Sequence, residues 1–137
     1  MFGTLKEGFP NHHVNLGLKI PGVFNTVERF PLYLVGRRNS PWLINDPGGG
    51  LQIAGEVYQV TFEALQQMDR LERVSASDGY CRISTEVGDR HGSTSQAEIY
   101  VKSIGQLSTA AINAGPLECY TLEHAKLYRQ RENRTQP

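Results

Sequence analysis

The sequence predicts an α+β fold, namely a small mixed, mainly antiparallel β-barrel with flanking helices. Short apolar segments with strand character outnumber helical segments, and a single segment has clear helical periodicity. Two of the strand-like segments flank a glycine-containing loop, which is typical of an antiparallel hairpin. A chain of 137 residues is long enough for one domain that buries roughly two thirds of its unfolded surface. We therefore expect a single domain over residues 1–137.

The predicted strands are short segments bounded by glycine, proline and polar residues. They are residues 18–30, 30–36, 41–44, 51–60, 80–87 and 97–102. Pro21-Gly22 is a break within the first of these segments, whose loose alternation of apolar residues also predicts a bulge. The sequence Asp-Pro-Gly-Gly-Gly at 46–50 is a strong loop signal, and residues 88–92 join the last two strands.

The chain opens with two apolar residues, Met1 and Phe2, that run straight into a glycine. This pattern is typical of the end of a strand. We therefore expect either that the first half of a central strand lies upstream, or that the barrel opens with a short stub.

One amphipathic helix is predicted between Thr61 and about residue 74. Thr61 is a good N-cap, because its hydroxyl can accept a hydrogen bond from a backbone N–H of the first turn. The apolar residues that recur at helical spacing are Phe62, Leu65, Met68 and Leu71. Shorter helical turns are expected within residues 9–16 and 108–114.

The charge balance restricts the partners that the protein can bind. The chain has 14 basic and 14 acidic residues, so it has no basic excess to neutralise nucleic-acid phosphates or to hold an anionic membrane. It has no run of ~18 apolar residues, and its first residues lack the pattern of a signal peptide. We expect a soluble, cytoplasmic protein that acts on a small molecule, and we favour a monomer although the sequence leaves the oligomeric state open.

The cysteines and histidines predict neither a disulfide framework nor a metal site. Cys81 and Cys119 are too few for a disulfide scaffold. We expect two reduced thiols, with Cys81 as a small core residue, although one bridge between them stays open. His12 and His13 are adjacent and point in different directions on most backbones, whereas metal ligands must converge. No metal and no cofactor are therefore expected.

Two local patterns are candidate sites, although each also has a simpler interpretation. Gly3-Thr4-Leu5 follows strand-like residues, and glycine there allows backbone N–H groups to approach an anion closely. Taken alone, it is an ordinary turn. Glu72 closes the amphipathic helix, where a carboxylate opposes the helix dipole. Taken alone, this is a surface ion pair, with Asp69 one turn earlier as either a partner or a solvated side chain.

In this order, the patterns resemble the γ-glutamyl cyclotransferase superfamily. The family signature Tyr-Gly-x-Leu corresponds to Phe2-Gly3-Thr4-Leu5, and Gly55-Glu56-Val57-Tyr58 and Asp69-x-x-Glu72 correspond to the strand and helix that follow in the family. Further matches are Lys6, Gly8, Pro10, Asn11 and His12. Asn39-x-Pro41-Trp42-Leu43 and the tail at 131–134 are similar to the γ-glutamylamine cyclotransferase branch.

The resemblance implies a small mixed β-barrel with flanking helices and a cavity at one end. It also implies a reaction without a cofactor. The α-amine of a γ-glutamyl group attacks its own γ-carbonyl, closes the ring of 5-oxoproline and expels an amine. In the amine-specific branch the leaving group is the ε-amine of lysine, from γ-glutamyl-ε-lysine.

The resemblance also implies roles for particular residues. Glu72 corresponds to the catalytic carboxylate, which acts as base and then as acid. The backbone N–H groups of Gly3, Thr4 and Leu5 correspond to the loop that binds the glutamyl end of the substrate. Phe2, Tyr80 and Trp42 are candidate lining residues, with Trp42 on the leaving-group side or, equally, in the core.

The sequence departs from the family at two of these positions. Phe2 replaces the usual tyrosine and so lacks its hydroxyl, and Arg70 replaces a residue that is often acidic. Two alternatives to this function also remain open. One is a related cyclotransferase that removes a γ-glutamyl group in a biosynthetic pathway, and the other is a non-catalytic ligand-binding domain of the same fold.

Overall fold

The computed structural model describes residues 1–129, which form nine strands and three short helices. The strands are β1 (Leu18–Lys19), β2 (Phe24–Phe30), β3 (Leu32–Val35), β4 (Ser40–Leu43), β5 (Leu51–Gly55), β6 (Tyr58–Gln59), β7 (Cys81–Asp89), β8 (Thr94–Val101) and β9 (Ile112–Ala114). The helices are α1 (Phe62–Leu71), α2 (Ile104–Ser108) and α3 (Leu122–Ala125), and a 3-10 turn spans His12–Val14. The tail at 131–134, which resembles the γ-glutamylamine branch, lies outside the described residues.

The strands form an incompletely closed barrel. The larger sheet has the order β5-β2-β7-β8, the second has the order β4-β3-β9, and β1 pairs with β6, all antiparallel. A single parallel bridge between Ile44 and Lys102 joins the second sheet to the first. At the other edge, the Ala54 N–H donates to the Glu118 carbonyl over 2.9 Å. The predicted α+β, mixed and mainly antiparallel fold is confirmed, although the barrel is not fully closed.

The predicted hairpin and bulge are both present. Strands β7 and β8 pair in continuous register from Cys81–Val101 to Gly88–Thr94. The pairing of β2 with β5 shifts register between Asn25 and Arg29, a few residues beyond the Pro-Gly pair. The Thr26 hydroxyl accepts from the Ile53 N–H at 2.9 Å and donates to the Glu28 carbonyl at 2.6 Å. The hydroxyl thus satisfies backbone groups that the bulge leaves without a strand partner.

Two buried clusters form the core. The larger is made by strand residues that point into the barrel, and its most buried members are Phe30, Leu32, Leu34, Leu43, Ile53, Val101 and Tyr120. The smaller cluster joins Leu5 to Met68 and Tyr100. Because Leu5 belongs to the N-terminal loop and Met68 to α1, this cluster packs the loop against the helix.

The structure corrects four details of the sequence-based prediction. Residues 108–114 are not a helical turn, because the Ser103 capping box starts α2 earlier and Ile112–Ala114 pairs with β3. Residues 9–16 contain only the 3-10 turn. Cys81 is exposed at the start of β7 and is not a core residue. Phe62, which belongs to the apolar series of the predicted amphipathic helix, is 70% exposed at the first turn of α1. Both cysteines are free thiols, as predicted.

None of the helices within residues 1–129 has the length and apolar character needed to span a bilayer.

Candidate active site

A cavity of about 840 Å³ opens between the N-terminal loop, the end of α1 and the inner face of the barrel. Its volume lies within the range of small-molecule sites. Most of the predicted site residues line it: Phe2, Gly3, Thr4, Leu5, Glu72 and Tyr80. The apolar face of α1 contributes Leu65, Met68 and Leu71. The helix therefore uses its apolar face for the cavity wall as well as for the core.

Glu56 holds both ends of the N-terminal loop. Its backbone N–H donates to the Met1 carbonyl at 2.7 Å, and its carboxylate accepts from the Glu7 N–H at 2.8 Å. The hydroxyl of Tyr58 donates to the same carboxylate oxygen at 2.7 Å. Gly55 allows the approach of the first residue, because a Cβ at this position would meet the Met1 carbonyl oxygen at 2.6 Å. The loop is thus clamped at both ends by one glutamate.

The pKa of Glu56 reflects this clamp. Burial works to raise it, but the hydrogen bonds from Tyr58 and Glu7 and the charge of Lys19 outweigh that effect and lower the pKa. Burial, together with the bond to Glu56, raises the pKa of the Tyr58 hydroxyl. The glutamate is therefore held as a carboxylate and the tyrosine as a hydrogen-bond donor.

Hydrogen bonds hold the carbonyl groups of the loop. The Asn11 N–H donates to the Thr4 carbonyl at 2.8 Å. The Leu5 carbonyl accepts from the Asn15 side chain at 3.0 Å and lies 3.1 Å from Nδ1 of His12. The Gly3 carbonyl accepts from the Lys6 N–H at 3.2 Å. These bonds orient the peptide planes of the loop.

The N–H groups of the same peptides have no such partners. Within residues 1–129, the backbone N–H groups of Gly3, Thr4 and Leu5 donate to no acceptor. Buried or half-buried N–H groups are nearly always hydrogen-bonded in folded proteins. Their placement beside a cavity is therefore a feature that a bound oxygen atom would explain.

Lys6 closes the loop on the core side. Its side chain is 6% exposed, and its ammonium group donates to the Tyr120 carbonyl at 2.5 Å and lies 4.3 Å from the centre of the Phe9 ring. Burial lowers the pKa of Lys6. Because the ammonium points into the barrel wall, Lys6 serves to anchor the loop.

A chain of contacts links the loop to Glu72. Gly3 packs so closely on Pro41 that a Cβ would lie 2.9 Å from the proline ring. The Pro41 carbonyl accepts from the Tyr80 hydroxyl at 3.0 Å, and the Tyr80 N–H donates to the Glu72 carbonyl at 3.0 Å. The backbone of Glu72 is also fixed from the helix, since its N–H donates to the Met68 carbonyl at 2.9 Å. Glu72 is thus a half-buried carboxylate on a well-anchored backbone.

Asp69 lies one turn before Glu72 and has a different environment. Its carboxylate accepts from Arg82 at 2.9 Å and from the Tyr100 hydroxyl at 2.7 Å. Burial, the bond to Asp69 and the nearby charge of Glu72 raise the pKa of Tyr100. Asp69 does not line the cavity, and it joins α1 to the β7–β8 hairpin.

Trp42 is the predicted site residue that the structure does not bring to the cavity. Its strand neighbours Pro41 and Leu43 line the cavity, and Trp42 does not, because alternate residues of β4 face opposite sides of the sheet. Its ring instead lies 4.6 Å from the ammonium group of Lys102. Lys102 is 5% exposed and also lies 4.4 Å from the Tyr80 ring.

Several residues of the site were absent from the sequence-based prediction. They are Glu56, Asn15, Arg38, Lys102 and Tyr128, and all except Asn15 line the cavity. Glu56, Asn11 and His12 belong to the segments that matched the family, so that match could have pointed to them. Nothing in the local pattern of the others marks them.

The histidines do not converge on a common point. His12 lies against the loop carbonyl and His13 is exposed. Among residues 1–129, no group of three or more histidine, cysteine, aspartate or glutamate side chains is arranged to hold a metal ion.

Comparison with known proteins agrees with this fold. A family model described as "Gamma-glutamyl cyclotransferase, AIG2-like" matches residues 1–119. The crystal structure of an AIG2-like protein from Mus musculus has a TM-score of 0.77 and 33% identity, and the match covers 98% of this chain and 95% of the mouse chain.

Two curated relatives carry the name gamma-glutamylaminecyclotransferase. The chain is 33% identical to the Bos taurus protein over 141 residues, which cover 98% of this chain and 82% of the bovine protein. It is 46% identical to the Rattus norvegicus protein over 77 residues. That alignment covers 53% of this chain and 52% of the rat protein, so it spans about half the length of this relative.

The fold and the site thus define a protein of the cyclotransferase class. The chain belongs to the AIG2-like family of gamma-glutamyl cyclotransferases. The predicted superfamily, its γ-glutamylamine branch and the prediction of a cyclotransferase enzyme are confirmed. The comparisons favour neither of the two alternatives.

Proposed function

We propose that this chain is a γ-glutamylamine cyclotransferase that uses Glu72 as its acid–base group. It converts a γ-glutamyl amine into 5-oxoproline and a free amine. One observation carries the proposal: a half-buried carboxylate and the hydrogen-bond donors of Gly3, Thr4 and Leu5 line the same cavity. An intramolecular acyl transfer requires these two elements, a proton acceptor and an oxyanion site.

The first step closes the ring. The substrate's α-ammonium loses a proton to Glu72, and the resulting amine attacks the γ-carbonyl carbon to form a C–N bond. The carbonyl electrons move to oxygen, which becomes an oxyanion. Backbone N–H groups of the loop stabilise this oxyanion or the carboxylate of the same glutamyl group, because they are already oriented and need no reorganisation.

The second step expels the amine. The oxyanion collapses back to a carbonyl, the original C–N bond breaks, and the proton held by Glu72 passes to the leaving nitrogen. The ring nitrogen still carries one extra proton from the attack, which passes through Glu72 to the released amine or to water and leaves a neutral lactam. The attacking amine belongs to the substrate, so the enzyme needs no serine or cysteine nucleophile. Holding the two ends of the glutamyl group together can contribute up to ~7–11 kcal/mol in favourable intramolecular cases.

Phe2 and Tyr80 are assigned to the wall around the reacting atoms. Phe2 packs partly against the barrel core and lines the cavity. Its ring can exclude water but cannot donate the hydrogen bond of the usual tyrosine. The Tyr80 hydroxyl donates to Pro41, so this residue fixes the wall that supports Gly3.

The remaining proposals concern the protein as a whole. We propose that residues 1–137 form one domain, that the reaction is of the carbon–nitrogen lyase or acyltransferase type, and that the protein acts in the cytoplasm on a small-molecule γ-glutamyl substrate. The proposals that the protein is a cytoplasmic monomer and that nucleic acid is not its partner rest on the sequence alone.

The test is an assay for 5-oxoproline. Purified protein is incubated with γ-glutamyl-ε-lysine, other γ-glutamyl amines and γ-glutamyl α-amino acids, and 5-oxoproline is quantified by chromatography. We expect turnover of one or more γ-glutamyl amines, and no turnover by the Glu72→Gln variant. Turnover of γ-glutamyl α-amino acids alone would contradict the amine-specific assignment, and undiminished turnover by Glu72→Gln would contradict the role of Glu72.

A binding measurement distinguishes the proposed enzyme from the alternative of a non-catalytic ligand-binding domain. If the parent protein binds 5-oxoproline in a calorimetric titration but cleaves none of the substrates, the domain is a ligand-binding module and the enzymatic proposal fails.

A further inference from the structure

A polar cluster lies at the part of the cavity next to Thr4 and takes no part in the reaction described above. The Asn11 side-chain amide donates to the Thr4 hydroxyl at 3.0 Å and to the Tyr128 hydroxyl at 3.2 Å. A guanidinium nitrogen of Arg38 donates to the same Tyr128 hydroxyl at 3.1 Å. Thr4, Asn11, Arg38 and Tyr128 all line the cavity. Arg38 is thus connected to the loop by a continuous chain of hydrogen bonds.

The cluster presents hydrogen-bond donors. The Tyr128 oxygen accepts two hydrogen bonds, and a phenolic oxygen has two lone pairs, so its own proton is left to be donated. Within residues 1–129 that proton has no acceptor. Arg38 uses Nε for the Arg129 carbonyl at 3.2 Å and Nη2 for Tyr128, which leaves further N–H donors of the guanidinium.

Arg38 also lacks a carboxylate partner in the part of the chain that the structure describes. Three other charged residues that line the cavity form ion pairs: Arg73 lies 3.0 Å from Asp78, Glu56 lies 3.6 Å from Lys19, and Glu98 lies 2.8 Å from Arg82. Arg38 forms no ion pair within residues 1–129, although it is half-buried. A half-buried guanidinium beside an unused hydroxyl proton has the chemistry of a carboxylate receptor.

We propose that Arg38 and Tyr128 bind a carboxylate on the leaving amine, so that these two residues distinguish a leaving group that carries this carboxylate from one that lacks it. This inference rests on the proposed function. The loop N–H groups serve the glutamyl end, whereas Arg38 is separated from Thr4 by Asn11 and Tyr128. A substrate that extends along the cavity from the loop would bring the far end of its leaving group to the guanidinium.

The test uses two substrates that differ by one carboxylate. In γ-glutamyl-ε-lysine the leaving amine carries an α-carboxylate, and in γ-glutamylcadaverine the same carbon chain lacks it. We expect the parent to prefer the lysine compound. In Arg38→Gln the KM for that compound should rise about 10- to 100-fold with a much smaller change in kcat, because the lost interaction is a charge-assisted hydrogen bond. The KM for the cadaverine compound should change little.

Matched variants control for indirect effects. Arg37→Gln removes the neighbouring arginine, which is exposed and does not line the cavity, and should leave both KM values unchanged. Arg38→Lys keeps the charge and should restore part of the preference. Tyr128→Phe keeps the ring and removes the hydroxyl donor, so it should weaken the same preference. Thermal unfolding of each variant shows whether it is folded.

The outcomes separate this inference from the proposed function. If Arg38→Gln raises both KM values equally, Arg38 serves the glutamyl end and the inference is wrong. If the parent shows no preference, the inference is wrong while the cyclotransferase activity stands. If neither compound is cleaved, the proposed function fails, and calorimetric binding of both compounds to parent and Arg38→Gln still decides whether Arg38 recognises the carboxylate.

Discussion

The two carboxylates at the end of α1 show how one helical turn separates a structural role from a chemical one. Asp69 faces the β7–β8 hairpin and is held by Arg82 and Tyr100. Glu72, three residues later, lines the cavity. Asp69 lies in the last turn of α1 and Glu72 is its C-cap residue, and at this end of a helix the dipole disfavours negative charge. At Asp69 the ion pair with Arg82 offsets this unfavourable interaction. At Glu72 the same position places the carboxylate at the cavity, where the proposed reaction uses it.

The sequence motif Asp69-x-x-Glu72 thus combines two functions. Arg82 also binds Glu98 at 2.8 Å, so the Asp69 side joins the helix to both strands of the hairpin. This attachment fixes the height and rotation of the helix, and with them the position of Glu72. If this division of roles is correct, replacing Glu72 should mainly reduce the rate of the reaction, whereas replacing Asp69 should mainly reduce the stability of the fold.

Removal of the Glu72 charge should have the largest effect. A positioned acid–base group contributes about 10²–10⁴-fold to the rate, so Glu72→Gln should lower kcat for a γ-glutamyl amine by roughly that factor. Because glutamine has almost the same shape, the variant should still bind 5-oxoproline with a Kd close to that of the parent, as measured by calorimetry. A proportionate loss of binding would show that Glu72 binds the ligand and does not transfer the proton.

Removal of the Asp69 charge should affect stability more than chemistry. Asp69→Asn leaves Arg82, whose side chain is 28% exposed, with only Glu98, and weakens the bond from Tyr100. We expect a loss of about 2 kcal/mol in the free energy of unfolding, because a partly buried charged hydrogen-bond partner is removed. Urea unfolding measures the loss.

The matching activity assay uses conditions in which Asp69→Asn is fully folded. Its kcat should then fall far less than that of Glu72→Gln. The Asp46→Asn variant, at an exposed loop position that forms no ion pair within residues 1–129, is the control for loss of one aspartate charge. If Asp69→Asn is as inactive as Glu72→Gln while still folded, the division of roles between the two carboxylates is wrong.

Part of the site could be predicted because it rests on local chemistry. The N-cap of Thr61 is formed as expected, with its hydroxyl accepting from the Ala64 N–H at 3.1 Å, and it fixes where α1 begins. The spacing of the apolar residues then sets the face on which Met68 and Glu72 lie. Gly3 in the N-terminal loop likewise indicates, from its residue type alone, a position where another group can approach the backbone closely.

The position of Trp42 could not be predicted, because Pro41, Trp42, Leu43 and Ile44 are all apolar. A strand with polar residues on one face shows which side is buried, and this strand has no such alternation. Arg38 and Tyr128 were missed for another reason. They are 90 residues apart in sequence, and only the folded barrel brings them together.

The N-terminal loop carries the backbone N–H groups that are assigned to the same reaction as Glu72. Gly3→Ala would place a Cβ 2.9 Å from the Pro41 ring, so the loop or the proline must shift by a few tenths of an ångström. The N–H donors would move with it. We expect kcat/KM to fall about tenfold, less than the ~10²-fold that a 1 Å misplacement can cost.

A second glycine provides the control for this variant. Gly105 lies in α2 and has no close neighbour at the Cβ position, so Gly105→Ala should leave kcat/KM unchanged. Unchanged kinetics in Gly3→Ala would show that the exact position of the loop does not matter to the reaction.

Glu56 is a further carboxylate that lines the cavity, and its oxygens are bound by the Glu7 N–H, the Tyr58 hydroxyl and Lys19. Its pKa in the folded protein lies below its ordinary value of 4.5. The stabilisation from its charge is therefore present above about pH 4.5 and is lost as the pH falls through the lower pKa of the folded state. In Glu56→Gln the hydrogen bonds from Glu7 and Tyr58 can persist, but the charge opposite Lys19 is gone.

We expect Glu56→Gln to reduce the free energy of unfolding by less than about 1 kcal/mol at neutral pH, since the pair with Lys19 is partly exposed. The difference from the parent should shrink as the pH is lowered from about 5 to about 3, because the parent loses the same charge by protonation. Urea unfolding at several pH values measures this, with Glu86→Gln as an exposed control that forms no ion pair within residues 1–129. A difference that grows towards acid pH would mean that Glu56 is held in its protonated form, and that the clamp on the loop depends on a proton and not on a charge.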